Sequence, residues 1–527
     1  MKQKKAVTVA ISFFSVFTLL FGGTVFSQAS NVGWLNYGSD LNNSFSNSYQ
    51  SNWSGSTSTS FVTSWSQKLS QTSVALSGDL LGKGQLEVVI SSATQLNVYD
   101  NTGKLVWTAH PPQDAQISGG SIGIINLAKL GGSMIVLATV YSGTQNSNGA
   151  SAIVAYSGSG QLLKTISGPS AWAFDQVRLA DLDGDGNLEV ITTVYSGYTL
   201  SPRGVYVYNY NNGSLKWSYL MGPTPHLDAL VDLANSGKLN VVVSTFAPCN
   251  GYSSGGTSDN SIYVIALNPD GTLMWCHQLG SGAQQHVRLG TVDFNHDSYL
   301  EVLAFVRSDP VVNTAGPNDI YVLNGSSGST LNKYTGQAGD AWHGFSFGKV
   351  NQKNVIYTDS ESGKVAMFDE NLKKITETNV GGVPVPFPSG SKNGAANDGP
   401  PTIVTGYLYF GQYANVVVLV NLPSGTQQIR VFDCNLVSLW TFNIPVTSTS
   451  NYYNMVFISN LENDVNDIIV AGSPGVFVLK PPADSSLVPD NVQYLIIGFV
   501  DTIIVVAVVL IAVGGFDFHK KHTSPKS

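Results

Sequence analysis

Apolar residues along this chain come in short bursts of three to six, separated by polar turns, and no stretch between the two ends keeps a helical spacing. One cycle reads Val88-Val-Ile90, then Leu96-Asn-Val-Tyr99, a turn Asp100-Asn-Thr-Gly103, and Lys104-Leu-Val-Trp107. Later cycles repeat it: Gly204-Val-Tyr-Val-Tyr208, Asn211-Asn-Gly213 and Leu215-Lys-Trp217, then Ile262-Tyr-Val-Ile-Ala266, Pro269-Asp-Gly271 and Leu273-Met-Trp275. Short apolar runs joined by Asx-Gly or Pro-Asp-Gly are hairpins, because Gly and Asx tolerate the positive φ that tight turns need. A further strand, such as Val177-Arg-Leu-Ala180 or Val287-Arg-Leu-Gly290, precedes each burst. Each cycle therefore predicts four antiparallel strands in about 50 residues, the content of one propeller blade.

Register marks for these cycles fall near Asp79, Asn126, Asp181, Asp232, Asp293, Lys349, Gly406 and Asn460, 47 to 61 residues apart. The last cycle has Asp467-Ile-Ile-Val470 and Gly475-Val-Phe-Val-Leu479 but no Trp-bearing strand. That strand stands at the other end, as Phe61-Val-Thr-Ser-Trp65-Ser-Gln-Lys-Leu69, matching Leu436-Val-Ser-Leu-Trp440 in character. Lending it to the last cycle would close a ring and remove two free sheet edges. The expected fold is all-β: a propeller of eight blades, or seven, closed by an N-terminal strand. A solenoid or a pair of sandwiches leaves the missing strand unexplained.

The ends read differently. Residues 1–29 have a basic start (Lys2, Lys4, Lys5), an apolar stretch from Ala6 to Phe21 and a small-x-small site at Ser27-Gln-Ala29, the pattern of a secretory signal peptide. Residues 492–516 are apolar apart from Asp501 and a few small polar residues, long enough to span a bilayer, and His519, Lys520, Lys521 and Lys526 follow. The reading is a single-pass cell-membrane protein: an extracellular propeller over 30–483, a stalk over 484–491, the transmembrane helix, and a cytoplasmic tail over 517–527. A carboxylate at Asp501 is costly in a bilayer and is a candidate contact for a partner helix.

Composition narrows the function. Charged residues are only 11% of the chain. Without the six terminal lysines, Asp501 and Asp517, 20 basic residues face 32 acidic ones, which argues against a nucleic-acid partner. Triplets at Asn42, Asn52, Asn212 and Asn324 are glycosylation candidates. Three cysteines are too few for a disulfide scaffold; Cys249 and Cys276 could pair, leaving Cys434 odd.

The densest chemistry lies in Asp181-Leu-Asp183-Gly-Asp185-Gly-Asn187-Leu-Glu189, which runs into the strand Val190–Tyr195. Oxygen side chains at positions 1, 3, 5 and 9, with the carbonyl of Asn187, can wrap one hard cation, and Gly186 allows the sharp turn. Asp293-Phe-Asn295-His-Asp297-Ser-Tyr299-Leu-Glu301 repeats the frame, with Tyr299 in the carbonyl position and Ser298 replacing the glycine, a substitution expected to strain the loop. Calcium in a structural role is the expected ion. Asp79 and Asp232 keep the first position only, and those loops are expected to be metal-free.

The Asp181–Glu189 loop ahead of an apolar strand resembles the FG-GAP repeat of integrin-alpha-type β-propellers. The resemblance spans about residues 74 to 480, specific at the third and fifth cycles. It implies ions that stiffen blades away from a ligand face. Trp34-Leu-Asn-Tyr37-Gly-Ser-Asp40-Leu-Asn-Asn43 and the Trp-ended strands are similar to quinoprotein-type eight-bladed propellers, although the adjacent-cysteine pair of many quinoprotein alcohol dehydrogenases is absent.

Asp175, His226, His286 and His343 each stand six or seven residues before a register mark of consecutive cycles. Equivalent positions in consecutive blades converge on the central axis, where they could hold a ligand, a transition metal or a sugar. The bland alternative is hydrogen-bonding residues at strand starts. No phosphate loop, zinc-helix motif or nucleophile elbow occurs. The expected function is cell-surface binding or adhesion, with a glycan or protein ligand meeting loops such as Ser142–Ala150 and Cys249–Asn260. The alternatives are an anchored enzyme, either a quinone-dependent dehydrogenase or a polysaccharide-degrading enzyme, and a viral surface protein in a host membrane.

Overall fold

The computed structural model describes residues 40–482 except 41–43, 45, 52–59, 70–71, 93, 113–120, 143–149, 170–172, 196–201, 283–284, 309–317, 338–341, 361, 385–401, 410–412, 445–452, 463–464 and 473. The expected signal peptide, stalk, membrane span with Asp501, and the triplets at Asn42 and Asn52 lie outside the described residues. Among the described residues every regular element is a strand, and no helix is long and apolar enough to cross a membrane.

Four-stranded antiparallel units follow one another along the chain. They occupy 72–109, 121–167, 173–220, 224–281, 285–334, 342–379, 403–444 and 453–480, eight among the described residues. Each runs in chain order from an inner to an outer strand, except the last. Its fourth strand is Val62–Lys68, paired antiparallel with Gly475–Lys480. Inner strands touch the preceding unit all the way round, and the inner strand of the eighth unit meets that of the first. The fourth and fifth units share one sheet through a single pair, Phe246 with His286.

Second and third strands are buried along nearly their whole length, whereas outer strands alternate. Apolar sheet faces packed on both sides by neighbouring units explain the first pattern, and solvent at the rim explains the second. Four of the five outer-strand tryptophans do the joining; the fifth, Trp440, donates to the Tyr409 hydroxyl of its own unit. The indole N–H of Trp65 donates to the Asn101 carbonyl, Trp107 to Gly158, Trp217 to Pro269 and Trp275 to Gly325, each in the next unit's hairpin. A glycine in that hairpin lies flat under the ring: a Cβ on Gly271 would come within 2.6 Å of Trp217. Where the tryptophan is missing, Lys164 reaches the carbonyls of Tyr210 and Asn211, and Asn332 reaches that of Asn371.

Antiparallel order gives the molecule two distinct ends. Connections from first to second and from third to fourth strands lie at one end, here the latch face; second-to-third and unit-to-unit connections lie at the other, the open face. Neighbouring latch-face loops bond to each other, as Leu239 N–H does to the Leu182 carbonyl and Leu86 N–H to that of Leu461. Inside the ring lies a segment that precedes the first unit. Ser46–Gln50 pairs in parallel with the inner strand Ile403–Tyr407 and lies against the inner strands of the sixth and eighth units. Asn47 donates its amide to the Ile458 carbonyl, and Phe347 N–H donates to that of Ser44.

Four register marks are corrected, since they fall inside strands and not at loop starts: Gly406 in Ile403–Tyr407, Asn460 in Tyr453–Glu462, and, in the second and sixth units, Asn126 and Lys349 in the long strands Ser121–Leu130 and Trp342–Val350. The second and sixth units replace the nine-residue loop with two-residue turns, Gly131-Gly132 and Asn351-Gln352, all four residues at positive φ. The cysteine pairing is corrected as well: all three thiols are free. Cys276 stands on an outer strand with its side chain exposed, and Cys249 begins the insertion of the same unit.

Candidate functional site: the acidic loop and the open-face mouth

The nine-residue loop occurs in four copies with one backbone shape. In the loops starting at Asp79, Asp181, Asp232 and Asp293, the first carboxylate accepts the N–H of position five on one oxygen and of position six on the other. Positions four and six take positive φ in every copy: Gly82 and Gly84, Gly184 and Gly186, Asn235 and Gly237, His296 and Ser298. Position nine reaches back to the N–H of position two, Glu87 to Leu80, Glu189 to Leu182, Asn240 to Leu233 and Glu301 to Phe294. Asn415 and Asp467 make the same bond, to Leu408 and Leu461, in the last two units. This position-nine latch was missed in the sequence, although an Asx or Glx at that place in cycles without other ligands was its visible sign.

Positions one, four, six and nine therefore shape the loop with no ion required; positions three and five are left for chemistry. Among the described residues one group of acidic side chains comes together, Asp181, Asp183 and Glu189, with ligand oxygens within 4.8 Å of one another. Glu189 is fully buried, and Asp183 Oδ1 is buried without a hydrogen-bond partner. Such an orphaned oxygen fits a cation. Asp185 does not join: it caps the N–H of Asn187, and that bond holds its carboxyl below the usual range. Lys216, from the outer strand of the same unit, places its ammonium 2.8 Å from Asp183 and 2.7 Å from Glu189. Burial alone would lower that lysine's pKa, and the two carboxylates override it, holding it above the ordinary lysine range.

The second loop is arranged otherwise. Asn295 donates its amide to both Asp297 Oδ2 and Glu301 Oε1, occupying the space between them. Tyr299 is exposed, and its N–H donates to Asp297 Oδ1. The strain expected at Ser298 is present, at φ 70, and His296 adds a second non-glycine at φ 63. His296 compensates in part by bonding Glu370 of the next unit at 2.9 Å. Desolvation raises the pKa of Glu301 above the ordinary value, as it does for Glu87.

At the open face, the four residues placed near the axis are only partly united. Asp175 and His226, on adjacent inner strands, meet at 2.8 Å, with His226 Nδ1 facing Asp175 Oδ2. His286 instead stacks on Phe246, ring centroids 4.3 Å apart. The side chain of His343 is outside the described residues. Beneath them Arg178 is fully buried, its pKa pulled down to about 10 by burial against the opposing charges of Asp228 and Asp40. Asp40, ahead of the segment Ser46–Gln50, lies close enough to act on the Arg178 charge.

The insertion 247–260 stands beside this mouth. Despite its Ser/Gly composition it is a built loop with its own hairpin, Ser253–Ser254 against Thr257–Ser258. Asp259 accepts the N–H groups of Asn250, Gly251 and Tyr252 and pairs with Arg203 at 3.3 Å, both side chains buried. Arg203 also donates to the Gly222 carbonyl, and Tyr252 lies across its guanidinium. Of the two described triplets, Asn212 and Asn324 each turn their side-chain oxygen onto the serine two residues on, Ser214 and Ser326.

No protein-family model and no curated protein matches this chain. Among solved structures it is similar to quinohemoprotein alcohol dehydrogenase from Comamonas testosteroni, at 12% identity and a TM-score of 0.55 over 86% of this chain and 81% of that one. An exotype rhamnogalacturonan lyase, YesX, matches at 14% identity and 0.49 over 78% and 72%. BamB from Moraxella catarrhalis matches at 11% and 0.45 over 81% and 99%. At such identities the likeness concerns the fold alone, and that fold is an all-β propeller.

Proposed function

We propose that the chain is an eight-bladed, FG-GAP-like propeller that binds a surface glycan or protein through its open face, carried outside a cell membrane by residues 492–516. The observation that carries this reading is the asymmetry of the two ends. One end consists of short, mutually bonded latch loops. The other gathers the longer connections, among them the insertion fixed by a buried Arg203–Asp259 pair. A loop ordered before it meets a ligand loses little entropy on binding, which is how rigid scaffolds present recognition surfaces. Breaking a buried pair by removing one partner costs about 3–5 kcal/mol, so such a lock is kept where the shape of the loop matters.

Calcium has a stiffening role in this reading. Asp181, Asp183 and Glu189 would hold it, at the end away from the ligand, and the ion would supply charge neutralisation to a buried carboxylate. Binding requires Lys216 to swing aside.

The competing reading is an anchored enzyme using Asp175 and His226 as a carboxylate–imidazole pair in proton transfer. Incubating the purified ectodomain with glycan and surface-protein arrays separates the two. The binding reading expects capture that is lost in Tyr252→Ala and retained in Lys238→Ala on the latch face. A quinone absorbance band, or shortening of acidic polysaccharides that disappears in His226→Gln, would overturn it.

A further inference from the structure

Exposed apolar side chains are distributed one-sidedly on this molecule. Thirteen large ones stand exposed among the described residues, and all but Leu220 lie at the latch end of their strands or in latch-face loops. They form a ring. Leu105, Leu162, Leu215 and Leu273 open the outer strands of the first four units. Leu331 and Ile375 stand second in the next two, Val437 immediately precedes the seventh, and Val62 opens the strand lent to the eighth. Each of these eight is between 42% and 59% exposed. Tyr299 and Tyr413, both about half exposed, add aromatic rings from the loops of the same face.

A single exposed leucine on a soluble protein needs no explanation; one aliphatic per unit, at one height around the rim, does. In the first, third and fourth units the tryptophan two residues on is seated on the next unit's hairpin, while the aliphatic before it stays exposed.

The chain's exit supplies the occupant. The last strand, Gly475–Lys480, runs toward the latch face, and Lys480 pairs directly with Val62 of the ring. Eleven residues, 481–491, separate it from the apolar segment, a reach of at most roughly 40 Å. A propeller tethered so closely at that rim holds this face toward the bilayer. Aliphatic and tyrosine side chains of such a face suit the lipid–water boundary.

We infer that the latch-face rim rests on the membrane surface, with the open face turned outward; this depends on the reading of 492–516 as a membrane span. The test is the full chain in phosphatidylcholine nanodiscs carrying a photoactivatable acyl chain, followed by peptide mapping of lipid adducts. Adducts on peptides containing Leu105, Leu215, Leu273, Tyr299 and Leu331, and none on those with Leu220 or Tyr252, are expected. The combined variant L105S/L215S/L273S/L331S should lower lipid labelling several-fold with an unchanged melting temperature. Equal labelling of both faces, or cross-links joining the rims of two copies, would overturn the inference while leaving the anchor intact. Release of the chain from membranes by alkaline carbonate would instead sink the anchored reading, and the rim inference with it.

Discussion

Gly271 and Gly237 share a left-handed backbone, at φ 84 and φ 76, but only the first has a tryptophan ring against it. Alanine at Gly237 meets nothing within 4 Å, so its cost is the backbone term alone, about 1–2 kcal/mol. Alanine at Gly271 must also push Trp217 off its seat, adding about 1–3 kcal/mol of overpacking. Urea midpoints of the two variants measure that difference, and equal values would mean that the indole docking carries no energy. Asp232 gives a second test. Burial acts to raise its pKa, yet the N–H groups of Ser236 and Gly237 hold it below the ordinary aspartate range. A group depressed in the folded state contributes stability above its unfolded value and loses it as pH falls through the folded one. Asp232→Asn should therefore melt lower than wild type at neutral pH, with the gap closing below about pH 4.

At the level of the loop, Lys216 and a divalent ion compete for Asp183 and Glu189. Replacing Lys216 by Met removes the internal cation and leaves two adjacent carboxylates, the buried Glu189 and the half-buried Asp183, uncompensated. Without calcium the variant should lose stability; with millimolar calcium it should regain it, and its calcium affinity should exceed that of wild type by about tenfold or more. Calorimetric titration of both proteins is the check, and equal affinities would show that Lys216 does not oppose the ion. This loop also shows what could be read from residues alone. The spacing of Asp181, Asp183 and Glu189 was legible because ligand chemistry fixes residue type and interval together. Asp185 was misleading, since an aspartate two residues before an N–H can cap a turn as easily as bind an ion. Lys216 was invisible because it arrives from an outer strand, 27 residues beyond Glu189, and only the hairpin register brings it back. The segment Ser46–Gln50 was equally hidden: its residues are polar and do not alternate, and its place is set by an inner-strand edge about 360 residues away.

For the whole molecule, closure is the property that separates a ring from a stack, and Trp65 reports on it. Its indole seats on Gly103 of the first unit, with N–H to the Asn101 carbonyl at 2.9 Å. Its strand, Val62–Lys68, completes the eighth unit. Trp217 is its chemical equivalent between the third and fourth units. Truncating either to alanine removes the same kind of contact, about 3–5 kcal/mol, yet the consequences should differ in place. Trp217→Ala loosens a joint whose two sides remain tied through the rest of the circle. Trp65→Ala loosens the lent strand at the ring's closure, exposing Gly475–Lys480 as a sheet edge beside the chain's exit. Amide exchange of residues 475–480 should then rise sharply in Trp65→Ala and stay at the wild-type level in Trp217→Ala. If both variants exchange alike there, stability does not pass around a closed circle, and the lent strand is an appendage and not a clasp.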